Sequence, residues 1–487
     1  MQDPRFPTLT PLQINTLQSY GTIEEYPERS RIFTLGETTY DFFLVLQGSV
    51  TIEDPYNDNA IIVEHLKFEF TGDSGMLSNR AAQFHAYTTP DTVVLRVKPP
   101  RLREAIAKYS KISDVLLNAF LLRQQTVLNE IPGGLKLVGS GHSPQTYSIR
   151  NFLEKNHIWY NFLDIDHCSD TTELFAHFDV TAADFPILIN SDAEVCKQPS
   201  LEQLARYTGV LMDFEDKVFD VLVVGAGPSG LAASVYAASE GLSVVTIERE
   251  APGGQAGKSS KIENYLGFPT GISGSDLANR AYVQAQKFGC NISIPHAATE
   301  IKHNGKCCEV KATNGKYICA KAVIVATGAN YRKLPLTNLE QYEGSGVYYS
   351  ATEMDATSCK DEEVGIIGGG NSAGQAALFL ADHAKKLHMF VRRGSFKGSM
   401  SDYLVQRIQA CANIDVHFQS EVKALEGAHH LEGIDVSTPN EEHKKMNINH
   451  LFSFIGAKPH SGRMEKFVVA DEKGFICTGT NLKPEEY

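Results

Sequence analysis

Asp220-Val-Leu-Val-Val-Gly-Ala-Gly-Pro-Ser-Gly-Leu-Ala-Ala233 is the stretch on which the reading of this chain turns. Val221 to Val224 form a short apolar run, as in a strand covered on both faces. Gly225, Gly227 and Gly230 follow in a G-x-G-x-x-G spacing, with Pro228 and Ser229 opening a helix. The first glycine permits the tight turn, the second lets backbone approach a pyrophosphate, and the third lets helix pack on strand. The helix N-terminus offers free N–H groups to phosphates. Leu242 to Ile247 read as a second strand ending in Glu248, where a carboxylate accepts ribose hydroxyls. Strand, helix, strand and terminal acid in this order predict a dinucleotide site. The alternative is a tight strand-helix turn without a ligand.

A second copy of the pattern lies downstream. Val364-Gly-Ile-Ile leads into Gly368, Gly370 and Ala373, a G-x-G-x-x-A with Asn371 and Ser372 at the helix start. Its partner strand, Lys386 to Val391, ends in Arg392 and Arg393. An arginine pair where an acid would serve NAD predicts the 2′-phosphate of NADP. The bland alternative is a solvated basic strand end.

The 487 residues suffice for three or four domains, and 42% hydrophobic with 21% charged residues is ordinary for a globular chain. A net charge of −13 argues against nucleic acid as a partner. The start, Met1-Gln-Asp-Pro-Arg, lacks the pattern of a signal peptide, and no apolar run is long enough to span a bilayer. Nine scattered cysteines without a C-x-x-C fit a reducing, cytoplasmic setting. Cys307 and Cys308 are expected on two faces of one strand.

Residues 1–128 begin with a helix capped by Thr10 and Pro11. Short strands are expected at 31–35, 42–46, 49–53, 61–66 and 92–97, then a helix over 102–120. This pattern predicts an antiparallel barrel or jelly roll. The segment resembles a cyclic-nucleotide-binding domain, on Phe42-Phe-Leu-Val-Leu-Gln-Gly-Ser-Val-Thr-Ile52 and on Phe70 to Arg80. The resemblance implies that Gly72 opens the phosphate cassette, Asp73 holds a ribose hydroxyl and Arg80 pairs a cyclic phosphate. Asp73 stands where that family has glutamate, and the cassette is about two residues short. A ligand-free docking module is the alternative.

After the linker Ile131-Pro-Gly-Gly134, residues 132–212 read as strand, helix from Pro144, strand, strand at Phe185-Pro-Ile-Leu-Ile-Asn190 and a closing helix. This order resembles a thioredoxin or glutaredoxin fold, with Pro186 at the family's cis-proline corner. The family's Cys-Pro-x-Cys is represented by Ser143-Pro144-Gln145-Thr146, so both thiols are replaced. A spacer or partner-recognition role is expected.

Residues 216–487 resemble low-molecular-weight thioredoxin reductases. The resemblance rests on the first glycine motif with Glu248, on Gly253-Gly254-Gln255, on Ile262-Glu-Asn264-Tyr-Leu-Gly-Phe-Pro269, on Val323-Ile-Val-Ala326-Thr327-Gly328 and on Phe452-Ser-Phe-Ile-Gly-Ala-Lys-Pro459. It implies FAD and NADPH on two Rossmann-type domains, the second inserted in the first. The FAD-binding domain then comprises 216–337 and 451–487, on either side of an NADPH-binding domain at 338–450. Tyr487 precedes the Gly-Asp motif that the resemblance implies, so a truncated final FAD segment is expected, the alternative being weakened flavin binding. The family's Cys-Ala-Thr-Cys is here Ser350-Ala-Thr-Glu353. The whole chain is thus expected to be multidomain: barrel, thioredoxin-like α/β domain and two Rossmann-type domains. The expected activity is NADPH-dependent flavoprotein oxidoreduction toward a small-molecule or protein electron acceptor, in a homodimer. The alternative is a nucleotide- or redox-sensing flavoprotein with little turnover.

Overall fold

The strand that opens the dinucleotide motif forms as its composition dictates. Val218–Val224 (β12) has four consecutive buried residues at its C-terminal end, and it pairs in parallel on both sides. In the computed structural model, residues 3–78, 80–130, 134–167, 180–190, 194–212, 214, 217–259, 261–263, 265–461 and 468–482 are described. They divide into two compact units. The first comprises Met1–Ser140, Arg150–Pro252 and Arg280–Ala326; the second comprises Gly141–Ile149, Gly253–Asn279 and Thr327–Tyr487.

The first unit opens with helix α1 (Pro11–Gln18). Its Thr10 cap and Gln13 side chain satisfy each other's backbone N–H groups in a capping box. Seven strands follow: β1 (Thr22–Tyr26), β2 (Arg31–Phe33), β3 (Phe42–Gln47), β4 (Val50–Asp54), β5 (Ala60–His65), β6 (His85–Thr88) and β7 (Thr92–Val97). They form two antiparallel sheets, ordered β1-β7-β3 and β2-β6-β4-β5. Phe42, Phe43, Leu44 and Val45 are buried, and Phe70 and Phe120 close over them. Each such side chain contributes about 1.5–3 kcal/mol by leaving water. The single expected helix is two, α2 (Pro99–Lys108) and α3 (Ser110–Glu130), because Tyr109 is extended between them. The sequence pattern does not predict β1 and β6.

Four further strands, β8 (Leu135–Gly139), β9 (Tyr160–Asp164), β10 (Ile187–Ile189) and β11 (Val195–Lys197), make a mixed sheet ordered β11-β10-β8-β9. β8 and β9 run parallel, joined through α4 (Pro144–Lys155), and β10 is antiparallel to both β8 and β11. The Phe185-Pro186 peptide is cis, as expected. Ser200 caps α5 (Leu201–Tyr207).

β12 then leads into α6 (Pro228–Ser239) and pairs with β13 (Val244–Ile247). With β14 (Asn291–Ser293), β15 (Ala298–His303), β16 (Cys308–Ala312) and β17 (Tyr317–Val325) they form a six-stranded sheet ordered β14-β13-β12-β17-β16-β15. The first four strands in that order are parallel; β16 and β15 continue antiparallel. Helix α7 spans Gly274–Lys287. Cys307 is buried just before β16 and Cys308 opens the strand half-exposed, so only the second of the expected pair lies on the strand. All eight cysteines among the described residues are free thiols.

In the second unit β18 (Ala329–Tyr331) pairs with the terminal β27 (Ala457–Pro459). A five-stranded parallel sheet is ordered β19-β26-β20-β21-β22, from β19 (Val347–Tyr348), β20 (Glu363–Ile367), β21 (Lys386–Val391), β22 (Ile414–Phe418) and β26 (His450–Ser453). The domain boundary expected at 450 falls inside β26, which pairs with β20. A meander of β23 (Glu421–Glu426), β24 (Gly433–Ser437) and β25 (Lys444–Met446) follows β22. This unit also holds helices α8 (Glu353–Ser358), α9 (Asn371–Ala381) and α10 (Asp402–Ala410), besides a single turn at Leu339–Tyr342. No helix among the described residues is long and apolar enough to cross a membrane.

Candidate nucleotide cradles and redox site

The first cradle is local to the β12–α6 turn. Gly225 sits at φ 105, a conformation that costs other residues strain. A Cβ on Gly230 would come within 1.8 Å of the Gly225 carbonyl oxygen, whereas a Cβ on Gly227 would meet nothing within 4 Å. The third glycine therefore brings helix against loop, and the second leaves the helix mouth open. No side chain caps α6 at Gly227, and Pro228 and Ser229 lie in the first turn, where the surface is accessible. The N–H groups there face outward with the positive end of the helix dipole. Glu248, half-buried after β13, accepts the N–H of Ala226 at 2.7 Å and that of Glu250 at 2.9 Å. Removal from water pushes its carboxyl pKa upward. Ala326 donates its N–H to the Val224 carbonyl at 2.9 Å, fixing the end of β17 beside this turn.

In the second unit, Gly253 and Gly254 both have positive φ, and a Cβ on Gly253 would lie 2.3 Å from that of Ala278. Gln255 donates its side-chain amide to the Ala329 carbonyl. Thr327 and Gly328 lead into β18, and the Gly328 carbonyl accepts the N–H of His460 at 2.9 Å. Asn264 lies outside the described residues.

The second cradle repeats the first. Gly368, at φ 148, is pressed against the Phe454 carbonyl and Ala373. Gly370 has only the Ser399 carbonyl within reach of a Cβ, at 3.7 Å, and no side chain caps α9 there. Ala373 is fully buried, as the third position of the motif requires, while Ser372 is exposed. Asn371 turns its side-chain oxygen to the Ser401 N–H at 2.7 Å, so it holds the neighbouring loop. Arg392 and Arg393 follow β21, both exposed. Arg392 meets the Glu421 carboxylate only at 4.0 Å. An exposed cation pair beside an open helix mouth suits a terminal phosphate.

Ser350 is buried at 8% exposure, and Glu353 is the first residue of α8. Thr352 caps that helix through reciprocal bonds with Asp355. Tyr147, three residues beyond Pro144 on α4, donates to Asp355 Oδ1 at 3.4 Å and packs on Tyr348 at 5.3 Å between ring centroids. The segments Ser143–Thr146 and Ser350–Glu353 therefore both adjoin one aromatic contact. Sequence reasoning missed Tyr147 and Asp355, and no motif marks them.

The three residues expected in the phosphate cassette come together too. Gly72, Asp73 and Arg80 line one cavity of about 510 Å³ in the first unit. Asp73 Oδ1 accepts the Tyr40 hydroxyl at 3.0 Å and the Gly75 N–H at 2.6 Å. Arg80 donates to the Tyr282 hydroxyl at 3.2 Å and to the Asn156 carbonyl at 3.0 Å.

Residues 219–484 match the Pyridine nucleotide-disulphide oxidoreductase family. The chain belongs to that family. Among curated relatives, thioredoxin reductase of Ureaplasma parvum is 35% identical over 271 residues, covering 55% of this chain and 85% of the relative. Thioredoxin reductase of Bacillus subtilis is 32% identical over 273 residues, covering 55% and 84%. Among solved structures, T. acidophilum thioredoxin reductase aligns with a TM-score of 0.51 at 28% identity, covering 54% of this chain and 86% of that one. Lactococcus lactis thioredoxin reductase gives 0.50 at 26%, covering 54% and 85%. The C-terminal half is thus a thioredoxin reductase-like oxidoreductase of Rossmann-type fold, and the cofactors of that family are FAD and NADPH. The residues present fit such groups: both helix mouths are uncapped, and both middle glycines leave space that a side chain would fill.

Proposed function

We propose that this chain is an FAD-dependent NADPH oxidoreductase whose electrons leave without an internal dithiol. The observation that carries it is the pair of uncapped glycine cradles, the second beside Arg392 and Arg393. In the first unit Gly225, Gly227, Pro228, Ser229 and Gly230 receive the FAD pyrophosphate at the α6 mouth, and Glu248 a ribose. Ala326 and, in the second unit, Gly254, Gln255, Asn264, Thr327 and Gly328 take the flavin-side roles that the family resemblance assigns. Gly368, Gly370, Asn371, Ser372 and Ala373 hold the NADPH pyrophosphate, and the arginine pair its 2′-phosphate. When bound, NADPH supplies a hydride and FAD accepts it. Ser350 and Glu353 stand where the family's cysteines belong, and a hydroxyl forms no mixed disulfide. The acceptor is then external: a small molecule or a disulfide on a partner.

The domain division expected from sequence goes with this reading: barrel 1–128, thioredoxin-like domain 132–212, FAD segments 216–337 and 451–487, and NADPH domain 338–450, assembled as a homodimer. We read the N-terminal sheets as a jelly roll like that of cyclic-nucleotide-binding domains, because Gly72, Asp73 and Arg80 share its cavity. A sensing role for that barrel is the second reading. Anaerobic titration of the purified holoprotein with NADPH tests the first: the flavin's visible band bleaches, and NADH bleaches it far less efficiently. A flavin that stays oxidised under excess NADPH rejects the enzyme and leaves the sensor.

A further inference from the structure

Arg123, on α3, is a buried guanidinium at 8% exposure. Its Nε donates to the Arg5 carbonyl at 2.9 Å and its Nη1 to the Gly72 carbonyl at 2.8 Å. The plane lies over Phe70 at 4.7 Å and Phe6 at 5.3 Å. Nη2 has no hydrogen-bond partner. Among the described residues no carboxylate stands within ion-pairing distance of it. Burial pulls its pKa down to about 10. The negative charges of Asp73 and Glu69 offset part of that cost, but neither carboxylate pairs with the guanidinium, and a buried nitrogen left unmet is relieved by an anion.

Arg123 lines the 510 Å³ cavity, which is of the size that takes a small ligand. The other cation expected to meet an anion there, Arg80, is already committed to Tyr282 and Asn156. Asp73 is committed to Tyr40 and Gly75, and Asp54 accepts the Tyr56 N–H at 2.9 Å. The polar anchors that a cyclic nucleotide would use on the cassette are thus partly taken up by protein, Asp73 through Oδ1 and Arg80 through Nε and Nη1. Much of the remaining wall is apolar: Phe33, Ile52, Val63, Phe84, Ile158 and Val210.

We propose that this cavity binds an apolar carboxylic acid, whose carboxylate pairs with Arg123 and whose hydrocarbon body fills the space between Phe33, Ile52, Val63 and Phe84. The charge is met at Arg123 and the hydrocarbon body along the apolar part of a wall that also carries polar residues such as Asn57, Gln83 and Gln124.

The test uses the full-length holoprotein and calorimetry, with decanoate, decanol and 3′,5′-cyclic AMP as probes. The quenching of Trp159, the chain's one tryptophan, gives a second readout, because its ring lies 5.1 Å from that of Phe84. Decanoate binds saturably at one site. Arg123→Gln weakens decanoate roughly tenfold or more while leaving decanol unchanged, as expected for loss of a charge-assisted pair. Arg80→Gln leaves decanoate affinity within about twofold, since Arg80 is engaged elsewhere. Should Arg123→Gln fail to fold, Val63→Trp fills the cavity with the arginine intact and abolishes decanoate binding. Binding of cyclic AMP that depends on Arg80, without decanoate binding, overturns the proposal, as does absence of both. Nothing here requires the flavin to turn over, so the result is separate from that of the NADPH titration.

Discussion

Glu248 accepts the backbone N–H of Ala226 at 2.7 Å, so the acid closing β13 is tied to the turn leaving β12. Its other oxygen takes the Glu250 N–H at 2.9 Å. The carboxylate thus shapes the turn itself, besides the ribose contact proposed for it. Glu248→Gln presents an amide donor to one of two N–H donors. We expect a loss of about 1–3 kcal/mol and reduced flavin retention. Chemical denaturation and the flavin-to-protein ratio after gel filtration check this.

Gly230 and Gly227 separate folding from binding. A methyl on Gly230 would strike the Gly225 carbonyl at 1.8 Å, backbone against which nothing can yield cheaply. Gly230→Ala is expected to cost on the order of 3 kcal/mol or more and to lower soluble yield. Gly227, at φ −68 with an open Cβ direction, accepts alanine conformationally. Gly227→Ala should therefore keep its melting temperature without flavin while losing flavin affinity. Thermal unfolding of both apoproteins distinguishes the two.

Arg392 and Arg393 are expected to act on NADPH alone. Replacing both by alanine should raise KM for NADPH roughly tenfold or more, with KM for NADH nearly unchanged, as for loss of a charge-assisted phosphate contact. Steady-state reduction of an artificial acceptor with each nucleotide measures it.

The proposed reading puts Ser143, Thr146, Ser350 and Glu353 at the family's dithiol positions, and the eight cysteines among the described residues are free thiols elsewhere. NADPH reduction should expose no new thiols. Alkylation and mass spectrometry before and after anaerobic reduction should give the same count; a gain of two would show a hidden dithiol.

Two buried histidines set the acid side of stability. Desolvation lowers the pKa of His65 from 6.5 to about 4, and that of His450 likewise, the latter also through nearby His142 and His430. Each is neutral when folded but takes a proton in the unfolded chain below pH 6.5. Stability is therefore intact above pH 6.5 and falls as pH drops toward 4, by up to about 1.4 kcal/mol per pH unit for each histidine. Denaturation series between pH 7 and 5 read the slope, and His450→Gln should flatten it.

The strands that carry the cradles were legible because each is an apolar run ended by glycines at fixed spacing, and such strands pair wherever a parallel sheet buries them. β1 was not legible: Glu24 and Glu25 make Thr22–Tyr26 half polar, and it exists through pairing with β7. The break at Tyr109 carries no glycine or proline; its ring packs edge-on against Tyr20, a contact from far along the chain. Asn371 was legible as a cradle residue, yet its side chain serves Ser401, thirty residues on.

Residue order alone determined the two glycine turns and the basic pair after β21, since these depend on neighbours within a few positions. Which polar groups are already engaged and which are not was decided only by the tertiary structure. Arg80 reads as an anion ligand by its place in the cassette, but Tyr282 and Asn156 reach it from distant segments and engage it. Arg123 carries no motif, and the fold buries it with one nitrogen unmet. Hydrogen-bond partners are a matter of approach in space, and spacing along a chain does not encode them.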